Sequence, residues 1–370
     1  MNFDFTDDQN SLRDAVQRWV DKGFSFERRH GLAKAGGATR AVYAELAELG
    51  LAGLAVPEAH GGMGFSAVEA MVVMEELGRG LVNAPYAEAA LVAPALLAAA
   101  PEAVQAAWLP KIADGTALVV LAHQERAARY RLEAVEATAT AAPDGGFTVS
   151  GHKSVVAAGD EADAFIVSAR HEGRIGLFLV EQAAAQVRGY PTQDGARAAE
   201  VTFDAAPATR VVADGAAALA YGTDVGIAAV CAEGVGLMDR LLAITVEYMN
   251  TRKQFGVAIA TFQALRHRIA DVKMQVELGR SMSYFATLKL GEPEPQRRRA
   301  LSQAKVQLGR SMRFVGQQCV QLHGGIGVTD EYAGSHYFKR LTMLEMAYGD
   351  TLHHLGEVSA RMQDTAGVFA

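Results

Sequence analysis

From Ile227 onward the apolar residues of this chain recur in steps of three and four, through three long segments in succession. The first runs Ile227, Val230, Gly234, Leu237, Leu241, Ile244 and Tyr248. The second runs Leu265, Ile269, Val272, Val276, Gly279 and Met282. The third runs Leu301, Ala304, Leu308, Met312, Val315, Cys319 and Leu322. Such spacing places each set on one face of a helix, and each face needs a partner to cover it. With a last helix from about Asp350, the expectation is a C-terminal bundle of four long antiparallel helices over residues 215–370. Gly234, Gly236 and Gly279 fall inside these helices and cost stability unless they permit close helix approach. Glu292-Pro293-Glu294-Pro295 breaks the second helix from the third, and Arg297-Arg298-Arg299 beside it reads as a solvated helix start.

The period differs elsewhere. Residues 1–116 read as an N-terminal helical domain. Thr6 with Gln9 and Ser66 with Glu69 fit capping boxes, Leu12, Val16 and Trp19 share a face, and Gly50 and Gly80 stand where helices should stop. Pro101 fits the first turn of a further helix that ends near Asp114-Gly115. Residues 117–214 hold short β-branched runs, at Leu118–Leu121, Phe147–Val149, Ala164–Val167 and Ile175–Val180, with hairpin turns at Asp144-Gly145-Gly146 and Glu172-Gly173. The fold class is therefore mainly α with a central β domain: N-terminal helices, a small antiparallel barrel-like β domain, and the C-terminal bundle.

Net charge is -7, with acidic and basic residues interspersed, so no basic face for nucleic acid is expected. The two cysteines, Cys231 and Cys319, lie in apolar helical patterns and read as small buried hydrophobes. His123, His152 and the pair His353-His354 lack metal-ligand spacing, so no metal site is expected. The first residues, Met1–Asp8, are too acidic for a signal peptide, and the apolar runs near Leu81–Ala100 are too broken to span a bilayer. A soluble, cytoplasmic protein is the expectation.

Two motifs carry a resemblance. Arg252-Lys253-Gln254-Phe255-Gly256, followed by Phe262-Gln263, resembles the Arg-x-x-Phe-Gly signature of the acyl-CoA dehydrogenase family. Gln321-Leu322-His323-Gly324-Gly325-Ile326-Gly327 resembles that family's Gln-x-x-Gly-Gly-x-Gly. The resemblance implies that these segments reach across a subunit interface to the adenosine diphosphate half of a neighbour's FAD. On this reading Arg252, Gln254, Phe255, Phe262, Gln263, Gln321, His323, Gly324 and Gly325 are the cofactor-binding residues. A guanidinium fork suits a pyrophosphate, and bare glycine N–H groups suit close approach.

The family's catalytic machinery is not matched. The usual carboxylate base aligns with Tyr348, and its alternative position on the first long bundle helix aligns with Gly226. A phenol is a poor base at neutral pH. Of the nearby carboxylates, Asp350 and Asp224 read as helix-cap or first-turn residues, and Glu233 as a solvent-facing or interface charge. The flavin-ring segments differ too: the family's Thr-Glu-Pro-x-x-Gly-Ser-Asp stands here as His123-Gln124-Glu125-Arg126-Ala127-Ala128-Arg129-Tyr130. Lys-x-Trp-Ile-Thr-Asn stands as Lys153-Ser154-Val155-Val156-Ala157-Ala158. Gly189–Gly195 and His336–Met343 are similar to the small subunits of heteromeric acyl-CoA dehydrogenases, such as that of pimeloyl-CoA dehydrogenase.

The resemblance therefore implies an FAD-clasping subunit of an α2β2 enzyme that makes trans-2-enoyl-CoA. FAD would be shared with a related dehydrogenase subunit, the acyl-CoA would lie on the partner's side, and an electron-transfer flavoprotein would take the electrons. Two alternatives stay open: a self-sufficient homo-oligomer whose base is displaced to Asp350 or Asp224, and a structural or regulatory paralogue without flavin.

Overall fold

The computed structural model describes residues 4–143 and 145–362. Asp144 of the first expected hairpin turn lies outside the described residues, as does Met1–Phe3 of the acidic start. The chain forms two compact units, one built from Met1–Arg29, Met71–Val82 and Ile227–Ala370, the other from His30–Ala70 and Asn83–Gly226. Each unit thus draws on separated stretches of chain, and neither coincides with one of the three sequence segments. Among the described residues no helix is long and apolar enough to cross a membrane.

In the first unit, helix α1 (Asp7–Gly23) opens with the expected capping box: Thr6 accepts from the Gln9 N–H at 3.2 Å, and Gln9 accepts from the Thr6 N–H at 3.0 Å. The second unit holds α3 (Arg40–Glu48), a π turn at Ala87–Val92 running into α5 (Ala93–Leu97), and α6 (Glu102–Ala113). Their buried faces include Tyr43, Leu46, Leu96 and Ile112, and Leu51, just after α3, is buried with them. Tyr86 is fully enclosed there, and its hydroxyl donates to Leu51 O at 2.9 Å.

The β domain also lies in the second unit. Its strands are β1 (Val119–Ala122), β2 (Thr138–Ala141), β3 (Phe147–Ala157), β4 (Ala164–His171), β5 (Arg174–Glu181), β6 (Gln186–Pro191) and β7 (Arg197–Val212). β4, β2, β3, β7 and β5 pair in turn, and β5 returns to β4, so the sheet closes on itself; β1 adds to β4 and β6 to β7. Pairing is antiparallel except at β1–β4 and at the single β2–β4 pair Thr138–Arg170. Among the described residues β1 and β6 each pair on one side. Glu172 and Gly173, both left-handed, form the tight β4–β5 turn foreseen from their sequence.

The helices of the first unit follow the apolar stripes. α7 (Ala216–Thr251) begins in the second unit and enters the first at Ile227; α8 (Gln263–Lys289) and α9 (Glu294–His323) follow. All seven α9 residues of the predicted stripe are buried. α4 (Ala67–Arg79) crosses α7 where glycines meet backbone. A Cβ on Gly236 would overlap the Glu75 carbonyl oxygen, and one on Gly78 would overlap the Glu233 carbonyl oxygen. Gly236 of α7 and Gly78 of α4 are thus the condition for two backbones to touch.

Several expectations are corrected. The last helix expected from about Asp350 forms as α11 (Thr351–Ala360), but an unforeseen helix, α10 (Ala333–Met346), precedes it, and Tyr348 and Gly349 take left-handed backbone between the two. Gly80 follows α4 as expected, but Leu81 takes the positive φ; Gly80 is needed because a Cβ there would meet Val20 Cγ1 at 2.5 Å. Ser66 accepts from the Val68 N–H rather than from Glu69, so only half of that capping box forms. Arg297 is buried at the start of α9 rather than solvated. Asp224 is fully buried within α7, well past its first turn, and Glu233 is buried as well.

Gly236→Ala should lower unfolding stability by about 1–3 kcal/mol, because the overlap falls on backbone and outweighs the gain in helix propensity. Gly325→Ala, where an added Cβ meets nothing within 4 Å, should leave it unchanged. Urea unfolding of the two variants separates a packing requirement from a general dislike of alanine.

Candidate functional site

α7 ends at Thr251, and the chain turns back through a two-residue hairpin, β8 (Lys253–Gln254) against β9 (Val257–Ala258). Phe255 and Gly256 form the turn, with φ 53° and 83°. A type I′ turn asks for positive φ at both positions, which glycine and asparagine accept readily and phenylalanine does not. Phe255 is also 93% exposed. An aromatic side chain held out to solvent on strained backbone is costly to the chain that carries it, and such positions mark functional sites.

Beneath this arm, Met249, Ile259 and Leu322 form a small core, with Tyr248, Phe262, Leu265 and Ile269 packed around it. Leu322 belongs to the second motif, so the core joins the two motifs in space. Tyr248 packs on His323 with ring centroids 4.7 Å apart, and Phe255 meets Phe262 edge-on at 6.1 Å. Of the nine cofactor-binding residues expected, Arg252, Gln254, Phe255, Gln263, Gln321, Gly324 and Gly325 are exposed, while Phe262 is half-buried. His323 points inward. Its Nδ1 bonds the Cys319 carbonyl oxygen at 2.8 Å and its Nε2 faces the Tyr332 hydroxyl at 2.9 Å. Burial keeps this imidazole below its usual pKa, so it is a neutral strut under the arm. Gly324 takes φ 65°, and nothing lies within 4 Å of an added Cβ at Gly324 or Gly325.

The segment that would carry the usual base is tied down on every side. Lys305 of α9 is fully buried, and its ammonium donates to the carbonyls of Leu344, Glu345 and Gly349 at 2.7–3.0 Å. It caps the end of α10 and bridges the break. Burial lowers its pKa to about 8. His354 Nε2 donates to Tyr348 O at 3.1 Å, and Glu345 accepts from both the N–H and the hydroxyl of Thr351. Asp350 is the helix cap predicted for it, accepting from His353 N at 2.8 Å. Glu233, expected as a solvent-facing or interface charge, is buried and gripped by Arg340 through bonds of 2.5 and 2.9 Å. Both of its oxygens are occupied by that fork, which leaves neither turned toward a substrate. Tyr348 itself presents a phenol. In the second unit, Gly226 offers no side chain.

The β domain is reorganised where the family's flavin-ring motifs align. Lys153 is fully buried and pairs with Glu125 at 2.6 Å, while also donating to Ser168 Oγ at 3.1 Å and His123 O at 3.2 Å. Glu125 also accepts from the N–H groups of Glu136 and Ala137. Burial pulls Lys153 down to about 8 against the attraction of Glu125. His123 bonds Ser168 at 2.8 Å, and burial together with the Lys153 charge lowers its pKa to about 3. The β3 register shifts between Lys153 and Val156, and Val155 sits at that bulge with φ 53°. Glu200 gathers His152 Nε2 at 2.8 Å, the Tyr190 hydroxyl at 3.0 Å and Val155 N at 3.3 Å. Arg126 and Arg129 are exposed.

Four of these features escaped the sequence reading: Lys305, Arg340 with Glu233, Lys153 with Glu125, and α10 itself. Lys305 did leave a signal, standing beside Ala304 on the apolar side of α9, where a cation needs an internal partner.

Residues 6–116 match the family described as acyl-CoA dehydrogenase, N-terminal domain, and residues 213–363 the family described as acyl-CoA dehydrogenase, C-terminal domain. Acyl-CoA dehydrogenase IpdE2 of Mycobacterium tuberculosis is 31% identical over 293 residues, which are 79% of this chain and 77% of that one. A variant of the Tcur3481–Tcur3483 steroid ACAD superposes with a TM-score of 0.89 at 28% identity, over 97% of this chain and 99% of its own. A chain of the ChsE4–ChsE5 complex from Mycobacterium tuberculosis gives a TM-score of 0.89 at 26% identity, over 99% and 100%.

His123 and His354 are each held neutral by burial, with pKa about 3. The unfolded chain protonates both near pH 6.5, so between about pH 3 and 6.5 it binds more protons than the fold and stability rises with pH. The urea midpoint should therefore fall between about pH 7.5 and pH 5, and His123→Gln should flatten that slope. An unchanged slope in the variant would show that His123 takes no part.

Proposed function

Because this chain belongs to the acyl-CoA dehydrogenase family, we propose that it acts within it as the subunit that clasps FAD for a related partner without supplying the base. The observation that carries this reading is Phe255, 93% exposed on a left-handed turn. That cost is offset only if something outside this chain receives the ring. The surrounding residues suit the adenosine diphosphate end of FAD. Arg252 offers a guanidinium for the pyrophosphate. Gln321 offers an amide, and Gly324 and Gly325 keep the approach free of side chains. Gln254 beside the hairpin turn and Gln263 at the start of α8 add exposed polar groups.

FAD held by this arm would supply a hydride acceptor for the β hydrogen of an acyl-CoA thioester, a reaction that also needs a base for the α proton. The residues of this chain provide no such base at Tyr348 or Gly226. Asp350 is spent as a helix cap and Glu233 on Arg340. The acyl-CoA therefore belongs on the partner's side, and the proposed electron acceptor is an electron-transfer flavoprotein. A partnership of two related chains accords with the ChsE4–ChsE5 complex being a structural neighbour.

Flavin content per chain should be near zero for this protein alone and about one FAD per pair of different chains once the related subunit is added. One FAD per chain in the lone protein, with turnover, would establish the self-sufficient enzyme instead, and Asp350→Ala and Asp224→Ala would then locate its base. Within the complex, Arg252→Ala should weaken FAD retention about tenfold or more, the scale set by a lost charge-assisted pair. Undiminished retention would favour the flavin-free paralogue.

A further inference from the structure

Glu75 of α4 is buried in the first unit, beside the crossing with α7, and its carboxyl is poorly served. Oε1 is enclosed and makes no hydrogen bond. Oε2 stands 3.6 Å from Arg280 Nη1 and 3.8 Å from Arg13 Nη2, both too far for a hydrogen bond. The charges around it come from four helices. α1 brings Arg13 and α8 brings Arg280, while α4 adds Glu76 and α7 adds Asp239. Arg280 is divided, leaning also toward Asp239 at 3.3 Å and Glu277 at 3.7 Å, with Tyr284 of α8 beside it. Glu76 is taken by Arg79 at 2.6 Å. Burial outweighs the two arginines and lifts Glu75 to about 7.

α1 and the residues before it cover this corner, and their hold is light. Of the 17 residues of α1, only Val16 and Val20 are buried. The remaining contacts are polar or aromatic. Arg79 reaches the Asp21 carboxylate at 2.8 Å and the Gln17 carbonyl at 3.4 Å. Arg13 lies over the Phe5 ring, 4.3 Å from its centre, and that ring meets Tyr284 edge-on at 5.9 Å. Segments with few buried apolar contacts are the ones that open locally.

We propose that α1 is a proton-seated cover: uptake of a proton by Glu75 holds the helix against α4 and α8, and release of that proton loosens it. An enclosed carboxylate without a hydrogen bond is costly as an anion and far less so as a neutral acid. When α1 lifts, Glu75 meets water and returns toward the ordinary carboxylate value of 4.5. The seated state therefore binds the extra proton between about pH 4.5 and 7. Seating is strongest below that window, weakens as the pH rises through it and levels off above about 7. The device shares no residue with the arm, so it stands or falls independently of the flavin reading.

The test is hydrogen exchange of the full chain, read peptide by peptide and normalised for the intrinsic pH dependence of amide exchange. Opening of α1 should increase about tenfold or more between about pH 5.5 and 7.5, while α9 does not open with it. Glu75→Gln, neutral at every pH, should keep α1 at its low-pH protection throughout. Arg13→Gln removes one of the two cations that oppose proton uptake, so the pH at which protection levels off should rise. Circular dichroism establishes that each variant is folded; if Glu75→Gln is not, Arg13→Gln decides. Equal α1 protection at both pH values would overturn the proposal. A pH response that survives Glu75→Gln, or a levelling-off pH unmoved by Arg13→Gln, would do the same. Opening of α9 in step with α1 would replace the local cover with unfolding of the whole unit.

Discussion

Two helix backbones in contact set the terms for the first unit. Gly78 of α4 lies against the Glu233 carbonyl, and Gly236 of α7 against the Glu75 carbonyl. Close-packed interiors leave no slack at such a crossing. The approach encloses two carboxylates beside it. Glu233 is answered by the Arg340 fork. Glu75 has only longer contacts, to Arg280 at 3.6 Å and Arg13 at 3.8 Å, and burial lifts its pKa to about 7 despite them. The same tight crossing therefore gives one buried acid a close guanidinium partner and leaves another near its titration point.

The arm obeys a different logic. Its base is a conventional apolar knot of Met249, Ile259 and Leu322, braced by the neutral His323. Its tip does the reverse of what a self-contained fold would choose. Conventional packing underneath and unreturned exposure above are what a rigid reach toward another molecule requires. The base segment contrasts with it: Lys305, His354, Asp350 and Glu345 satisfy its polar groups from within. One region of the chain faces outward and the other is closed.

Much of this was legible in the residues. The α9 stripe was buried at every predicted position because a helix with one apolar face has one way to hide it. The Thr6 cap, the Asp350 cap and the Glu172-Gly173 turn were readable because each depends on residues adjacent in sequence. The arm's two motifs could be named, but not the small core that joins them, since Leu322 lies far along the chain from Met249. α10 was missed for lack of a strong stripe: its buried face mixes Ser335, His336 and Glu345 with Tyr337, Leu341 and Leu344. Polar residues inside a helix are explained by their partners, and partners distant in sequence leave no local mark. That also hid the Arg340–Glu233 and Lys153–Glu125 pairs.

The hairpin at Phe255 has a consequence for how such a chain evolves. An asparagine before Gly256 would relax the turn and remove a greasy, aggregation-inviting ring from solvent. A lineage under pressure only to persist as a lone polypeptide would drift toward that sequence. Keeping phenylalanine instead makes the free protein worse at being free. Its abundance in a cell would then be tied to the supply of whatever covers that ring, so that surplus copies are the first to be lost.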